Sequence, residues 1–487
     1  MYSIDKDSSH EYEQRLKKVA LFNGPGKGYT DRFVRTHTIK EASSLSEGSQ
    51  TEICGRILGK RNFGKFMFLT LGDLDGSIQL SFSHADLEPA EYAQIKNVDV
   101  ADFIGVTGEI YRTRTGEITV RCSKFQLLTK TLRPLPEKYH GIHNVESRYR
   151  QRYLDLISNQ KTRDIFRKRS KIIRRIRDFL DEHNFLEVET PILQATASGA
   201  AAKPFQTHHN ALNCELFLRI APELYLKQVV AGGFDRVYEI GKNFRNEGMD
   251  ASHLQEFTML EWYAAYWNFE DNIQFVQKML CCIAENVCGS EALQNTGAAM
   301  IFTEKLPRVD FCAAMSDLIG NDILSFTQVG QLKEVLLAQE LLSPEELEQA
   351  KSIPALIDLL YKRKIRPQLI QPTVLYHYPA CLIPLARRND EDPRTIDMFQ
   401  VVVQGWEIVK GYSELVDPRI QRAAFEEQAK NRDCGDEDAF EGDPDFLLAM
   451  EHGMPPMSGV GIGIDRLVAL FCEAPTLRDV ILFPTMK

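Results

Sequence analysis

Residues Gly241–Tyr263, GKNFRNEGMDASHLQEFTMLEWY, constrain the fold of this chain more than any other stretch. Val237–Asn246 has strand character, and Gly248–Ser252 is a polar turn. Phe257–Tyr263 alternates again, placing Phe257, Met259, Glu261 and Tyr263 on one face. The spacing predicts a hairpin with an unusually long connecting loop. One arm ends in Arg245 and Glu247, the loop carries His253, and the other arm offers Phe257, Glu261 and Tyr263. A fixed guanidinium suits a phosphate or carboxylate, a flat ring suits a base, and a carboxylate suits an amine. Any one of these residues fits a half-buried hairpin with solvated charges. The set together points to a ligand site.

At 487 residues the length suggests roughly two to four domains. No apolar run reaches the roughly 18 residues a membrane span needs, and the polar N-terminus MYSIDKDSSHEYEQRLKK has no signal-peptide core. The ten cysteines are scattered without a C-x-x-C pair, which predicts reduced thiols rather than disulfides or zinc. These features predict a soluble, cytoplasmic protein with no membrane partner. The net charge of −10 argues against indiscriminate nucleic-acid binding but leaves room for a local basic face. The first 40 residues hold eight Lys/Arg against five Asp/Glu, and 1–50 reads as a basic helical extension.

Residues 51–130 contain five short β segments separated by Gly or Asp turns, the pattern of a small barrel. Arg56, Lys60, Arg61 and Lys65 lie near Phe63, Phe66 and Phe68 in the sequence, the mixture that single-strand binding needs. Residues 131–142 form a proline-punctuated linker. Within 143–487, Thr162–Phe185 is a long basic helix with an apolar stripe, followed by the short strand LEVETPIL. Ser198–Phe205, SGAAAKPF, is a small-residue loop in which Gly199 permits close backbone approach. Pro222 starts a helix with Glu223 in its first turn. Residues from about 268 to 369 read as a helical insertion. Met398–Asp417 reads as two strands carrying Glu407 and Glu414, carboxylates that are costly on a buried sheet unless they bind something positive. Strict alternation would put these two on opposite faces, so a shared site requires a bulge. Gly459–Phe471, GVGIGIDRLVALF, is a glycine-alternating strand running into an apolar helix with Asp465–Arg466 at its start.

The pattern FRNE, loop, H..EFT and E.Y resembles motif 2 of class II aminoacyl-tRNA synthetases, and specifically that of the lysine enzymes. The helix–strand–Pro unit ending at Pro191 resembles motif 1, GIGIDR with its helix resembles motif 3, and APELYLK resembles the lysine enzymes in particular. GRILGKRNFGKFMFLTLGDLDGSIQLSF resembles the OB-fold anticodon-binding domain of the class IIb group. The resemblance covers the chain from about Thr51 to its end. It implies an α+β fold, an N-terminal five-stranded OB barrel followed by an antiparallel class II sheet flanked by helices, assembled as a homodimer.

The resemblance also implies roles. Lysine and ATP would form lysyl-adenylate by in-line attack, and the lysyl group would pass to the 3′ end of tRNA(Lys), with Mg²⁺ as cofactor. Arg245 would hold the α-phosphate and the substrate carboxylate, and His253 and Arg466 the outer phosphates. Phe257 and Arg466 would sandwich adenine, and Glu247 would fix its amino group. Glu223 would take the α-amino group of lysine and Glu414, alongside Tyr263, its ε-ammonium, with Gly199 and Glu261 also binding the amino acid. Glu407 would bind Mg²⁺, with Gln400 and Glu414 as further metal positions. Phe68 would stack on an anticodon base, with Arg61, Gln79 and Glu117 reading edges. Two departures stand out: the family usually has Glu at Gln400 and Asn at Lys410, next to the substrate, so Lys410 would join the lysine-binding residues as a cation for the substrate carboxylate or a phosphate, with one Mg²⁺ bound weakly or lost. A catalytically impaired tRNA-binding paralogue, or a ligase with altered amino acid or acceptor choice, is the alternative these changes suggest.

Overall fold

The computed structural model describes residues 6–22, 28–64, 66–135, 144–196, 199–200, 202–248, 250, 253–288, 300–433 and 442–486. Ser198, Lys65 and most of the expected linker lie outside the described residues. The chain divides into two compact units, Met1–Val145 and Glu146–Lys487.

In the first unit, β1 (Gln50–Asn62), β2 (Phe66–Gly72), β3 (Ser77–Ser83), β4 (Phe103–Arg112) and β5 (Ile118–Thr129) close into a barrel in the order β1-β2-β3-β5-β4. Alternating residues of β1 and β2, among them Ile53, Ile57, Met67, Leu69 and Leu71, fill its interior. The helix α1 (Lys6–Val19) is tied to the barrel rather than freely solvated. Arg15 donates to the Val100 carbonyl at 3.1 Å, and Lys18 pairs with Asp99 at 2.6 Å. Asp99 is shared with Lys130, which also pairs with the fully buried Asp102 at 2.7 Å.

The second unit is built on an eight-stranded sheet. Its members are β6 (Leu186–Glu187), β10 (Arg236–Phe244), β11 (Glu256–Ala265), β12 (Arg308–Asp310), β13 (Thr373–Pro379), β14 (Thr395–Val403), β15 (Trp406–Ser413) and β16 (Met457–Gly463). The order is β12-β13-β14-β15-β16-β11-β10-β6. All pairs are antiparallel except the two short edge strands, β6 on β10 and β12 on β13, which run parallel. The sheet is therefore mixed at its edges where uniform antiparallel pairing was expected, because a two- or three-residue edge strand arriving from a crossover can pair either way. A separate small sheet contains β7 (Leu193–Gln194), β8 (Phe205–His209) and β9 (Cys214–Leu218).

One face of the main sheet is covered by α2 (Gln160–Glu182), α4 (Phe269–Ile283) and α5 (Ile464–Phe471), while α3 (Glu223–Ala231) packs Leu226 and Val230 against Val237 and Tyr263 of the sheet. The stripe of α2 does what its period requires: Ile172, Ile176, Phe179 and Leu180 are buried against Leu260 and Trp262 of β11 and against α4. The stretch 268–369, read from sequence as a helical insertion, thus begins with a helix that belongs to the core of the sheet and also supplies its edge strand β12. A second core, around Phe311, Met315, Leu336, Leu356 and Leu360, holds the helices between Phe311 and Leu360.

Asp465 joins three of these parts. It is 2% exposed, receives the Thr258 backbone N–H of β11 at 2.7 Å, and pairs with Arg169 of α2 at 2.6 Å. Asp465→Ala leaves the buried Thr258 N–H without its partner and takes the carboxylate from the part-buried Arg169, which keeps hydrogen bonds to the Val480 carbonyl and the Thr258 hydroxyl, each at 3.2 Å. It is expected to cost about 1–3 kcal/mol, read as a lower urea-unfolding midpoint. An unchanged midpoint would show that the tie carries no stability.

Candidate active site

The open face of the sheet is set by register. The hairpin pairs Glu239 with Glu261, Gly241 with Met259, and Asn243 with Phe257. Across the other side, Glu261 faces Gly461, which faces Lys410, which faces Gln400. The ladder between β14 and β15 pairs Val401 with Val409 but Val402 with Glu407, leaving Ile408 as an extra residue. This is the bulge the sequence required, and it brings Glu407 onto the same face as Lys410, Tyr412 and Glu414.

Glycine makes the floor of that face. A Cβ on Gly459 would lie 2.3 Å from the Tyr263 ring and 2.6 Å from Glu414 Oε1, and one on Gly461 would lie 2.6 Å from Met259. Side chains of β11 and the end of β15 therefore lie across β16, which no other residue type would allow. Gly199 is needed for another reason, its backbone at φ +93°, and it lies against Glu223 and Ala221 from the small-residue loop.

At one end of the face, carboxylates gather. Glu223, Glu261 and Glu414 are each less than a tenth exposed. Lys227, one turn after Glu223 on α3, pairs with Glu223 at 2.6 Å and with Glu414 at 2.5 Å. Tyr412 donates to Glu223 at 2.7 Å and Tyr263 to Glu261 at 3.4 Å. The rings of Tyr263, Tyr412 and Phe446 lie 5.7–5.9 Å from the Lys227 ammonium. From sequence Glu414 is a candidate for an amine or a metal ion; in the structure Lys227 pairs with one of its oxygens, because i, i+4 spacing on a buried helix turns it inward beside Glu223, while Glu414 Oε1 is buried and has no partner. Lys227 and Tyr412 are the residues sequence reasoning missed. The Glu223–Lys227 spacing was a signal, but it is also the commonest exposed ion-pair spacing.

At the other end, cations and a ring gather. The Arg245 guanidinium lies 5.2 Å from the Phe257 ring centre, and its buried Nε has no partner. Burial pulls the Arg245 pKa down, opposed by Glu247 and Glu261. Arg466 arches over Gly463 and donates to the Glu407 carbonyl at 3.1 Å. Gln400 donates to Glu407 Oε2 at 2.6 Å and accepts from Tyr378 at 2.8 Å. Glu247 and His253 lie in the exposed loop, with His253 2.8 Å from Asp250, and neither is brought into the buried face. Among the described residues no group of three His, Cys, Asp or Glu side chains is arranged to hold a metal. Glu407 with incoming phosphates fits one Mg²⁺, an ion that often takes only one or two carboxylates from protein. Gln400 and Glu407 do not fit a second ion, since their side chains already satisfy each other.

In the barrel unit, Arg61 and Phe68 are cross-strand partners, and Arg61 donates to Gln79 at 2.9 Å, so three of the four expected residues form one patch. The exposed Glu117 immediately precedes β5, whose Thr119 accepts from Gln79 at 3.0 Å. Phe63 adds an exposed ring 6.1 Å from Phe68. Arg56 and Lys60 do not belong to the patch. Arg56 stacks on Phe103, and Lys60 donates to the Lys96 and Val98 carbonyls, fixing the loop before β4.

A family model described as tRNA synthetases class II (D, K and N) matches residues 144–487, and one described as an OB-fold nucleic acid binding domain matches 51–128. A lysine–tRNA ligase of Syntrophomonas wolfei is 44% identical over 97% of this chain and 96% of its own length. Those of Aromatoleum aromaticum and Pelotomaculum thermopropionicum are 41% and 42% identical over 100% and 99% of this chain, and 98% and 96% of their own lengths.

This chain belongs to the lysine–tRNA ligases. As a class II synthetase it is an ATP-dependent ligase, and its tRNA-synthetase and OB-fold units have the order that family shares. No described helix is long and apolar enough to cross a membrane.

The carboxylate end of a ligase site has a pH signature. Burial first, and Glu223 second, push Glu261 from 4.5 up to about 8, against Arg245 and Arg219. Burial also raises Glu414, with Lys227 opposing and Glu223 adding to the effect. Between 4.5 and about 8 the folded chain keeps a proton on Glu261 that the unfolded chain releases, so rising pH disfavours the folded state. Melting temperature of the ligand-free protein is expected to fall across that window. The cost is up to about 1.4 kcal/mol per pH unit for this group. Glu261→Gln should flatten the profile; a slope identical to wild type would remove Glu261 as its source.

Proposed function

We propose that the chain activates L-lysine with ATP to lysyl-adenylate and transfers the lysyl group to the 3′ end of tRNA(Lys). The observation that carries this reading is the buried carboxylate end of the face. Glu223, Glu261 and Glu414 against Lys227 leave two negative charges at full ionisation, and lysine carries two ammonium groups. Glu414 Oε1, buried beside Tyr263 and without a partner, is the position for the ε-ammonium, and Glu223 beside Gly199 takes the α-amino group. An aspartate or asparagine substrate would meet carboxylates where it needs donors.

The chemistry is positioning and charge neutralisation, with no covalent enzyme intermediate. Arg245 holds the lysine carboxylate against the α-phosphate. Phe257 and Arg466 enclose adenine, Glu247 meets its amino group, and His253 joins Arg466 on the outer phosphates. Glu407 would hold Mg²⁺, which would supply further charge neutralisation at the phosphates. The barrel patch of Arg61, Phe68, Gln79 and Glu117 reads the anticodon: the ring stacks while the amide and the guanidinium address base edges. Homodimer formation is supported by the exposed apolar residues Leu186, Ile192 and Leu193 beside the two-residue edge strand β6. Charging tRNA for translation makes the cytoplasm its place of work.

The direct test is amino-acid-dependent pyrophosphate–ATP exchange with lysine, ornithine, aspartate and asparagine compared. Exchange with lysine is expected, and its loss in Glu414→Gln; exchange driven by aspartate or asparagine would overturn the reading. The two units separate in a second test. Phe68→Ala should raise KM for tRNA roughly 5- to 150-fold, as loss of one base–aromatic stack predicts, while lysine-dependent exchange stays at the wild-type rate. A loss of exchange in that variant would contradict the barrel's role as a tRNA reader alone.

A further inference from the structure

The row Gln400–Lys410–Gly461–Glu261–Glu239 runs across the whole site face, and every polar side chain in it but one has a partner. Glu239 holds Arg219 and Thr190. Glu261 receives the Tyr263 hydroxyl. Gln400 is used on both sides: its amide N–H donates to Glu407 Oε2, and its oxygen receives Tyr378 at 2.8 Å and Tyr361 at 3.4 Å. Lys410 is half-buried, and its ammonium has no hydrogen bond and no carboxylate within 4.0 Å among the described residues.

That isolation is informative because the face is acidic. Glu407 lies on the same strand toward the Arg466 end, and Glu414 lies just past the strand toward the Lys227 end. An ammonium drawn half out of water among carboxylates, and paired with none of them, is available for an anion from outside the chain. Its place between the two ends of the face is where an amino acid carboxylate would meet a triphosphate under the reaction proposed above. The Gln400–Glu407 pair strengthens the point. A cation bridged by that pair would have to break the 2.6 Å amide–carboxylate bond and compete with two tyrosine hydroxyls for the amide oxygen.

We propose that the Lys410 ammonium binds an anionic oxygen of the reacting centre, on the amino acid carboxylate or on the triphosphate. In doing so it supplies from within the chain the positive charge that a second metal ion would bring. Gln400 is then the matching residue. A neutral amide beside Glu407 keeps the local charge balanced with Lys410 opposite it, where a second carboxylate would attract either a metal or Lys410 itself.

This inference rests on the lysine-activating reading, and one binding experiment separates the two. Lysine, cadaverine (which has both amines but no carboxylate) and ATP are titrated calorimetrically into the full-length wild-type chain and its Lys410→Met and Lys410→Arg variants. Metal-free buffer is used for the two amines and Mg²⁺-containing buffer for ATP. If the anion is the carboxylate, Lys410→Met weakens lysine by about tenfold or more and leaves cadaverine unchanged, as loss of one charge-assisted contact predicts. If it is the triphosphate, the same variant weakens ATP by about that factor and leaves both amines unchanged. In either case Lys410→Arg recovers part of the loss. Lys410→Met that binds all three ligands like wild type overturns the inference alone, as does a loss shared equally by cadaverine and lysine, which would mark a structural role. Wild-type chain that does not bind lysine overturns the functional reading and this inference with it.

Discussion

Three buried glutamates, two of them paired with one lysine, are the constraint around which the catalytic unit is arranged. Glu223, Glu261 and Glu414 arrive from a helix, a central strand and the end of another strand, and Lys227 binds two of them. Water cannot solvate this group, so its charge is balanced from inside: by Lys227, by the hydroxyls of Tyr263 and Tyr412, by Arg245 nearby, and by protons held on Glu261. A diamine replaces those protons with its own charge. The same crowding that destabilises the empty site makes it selective, because a ligand without two ammonium groups leaves the repulsion in place.

Such a face can form only if the backbone lets large side chains lie flat. Polar residues on a sheet normally stand up and exclude one another. Here β16 has no side chains at alternate positions, so Tyr263 and Glu414 lean over Gly459 from opposite neighbours, and Met259 covers Gly461. The bulge at Ile408 does the complementary work on β15. It turns an odd spacing into a shared face, so that Glu407 near the nucleotide end and Glu414 at the amine end project the same way.

The sequence carried the hairpin, the glycine strand, the barrel and the need for a bulge, because each follows from local period or from residues close together in the chain. Arg245, Phe257, Glu261 and Tyr263 were legible as a set for that reason. Lys227 was not, since an i, i+4 pair on a helix looks the same whether the helix face is wet or dry, and burial of this one is decided by Glu414, far along the chain. The same blindness misplaced Arg56 and Lys60. Only the fold brings Phe103 and the 96–98 carbonyls to them and removes them from the nucleic-acid patch. Gln400 was legible as a departure but not as a partner of Glu407, because a bulge two residues away resets which residues meet.

Asp465 shows how the two faces of the sheet are coupled. It binds the Thr258 N–H and Arg169 from the buried side, and both ends of the Thr258 bond adjoin a site residue: Thr258 follows Phe257, and Asp465 precedes Arg466. Successive residues of a strand point to opposite faces, so fixing Thr258 from below fixes the direction in which Phe257 projects above. Arg466 follows from the same anchor, arching back over Gly463 opposite Met259. The ring and the guanidinium proposed to enclose adenine are thus held to one another through a carboxylate that touches neither. Their spacing is set by the packing of α2 and α5 into the hydrophobic core beneath the sheet. The polar face stays ordered, despite its crowded like charges, because its geometry is determined on the side where burial is favourable.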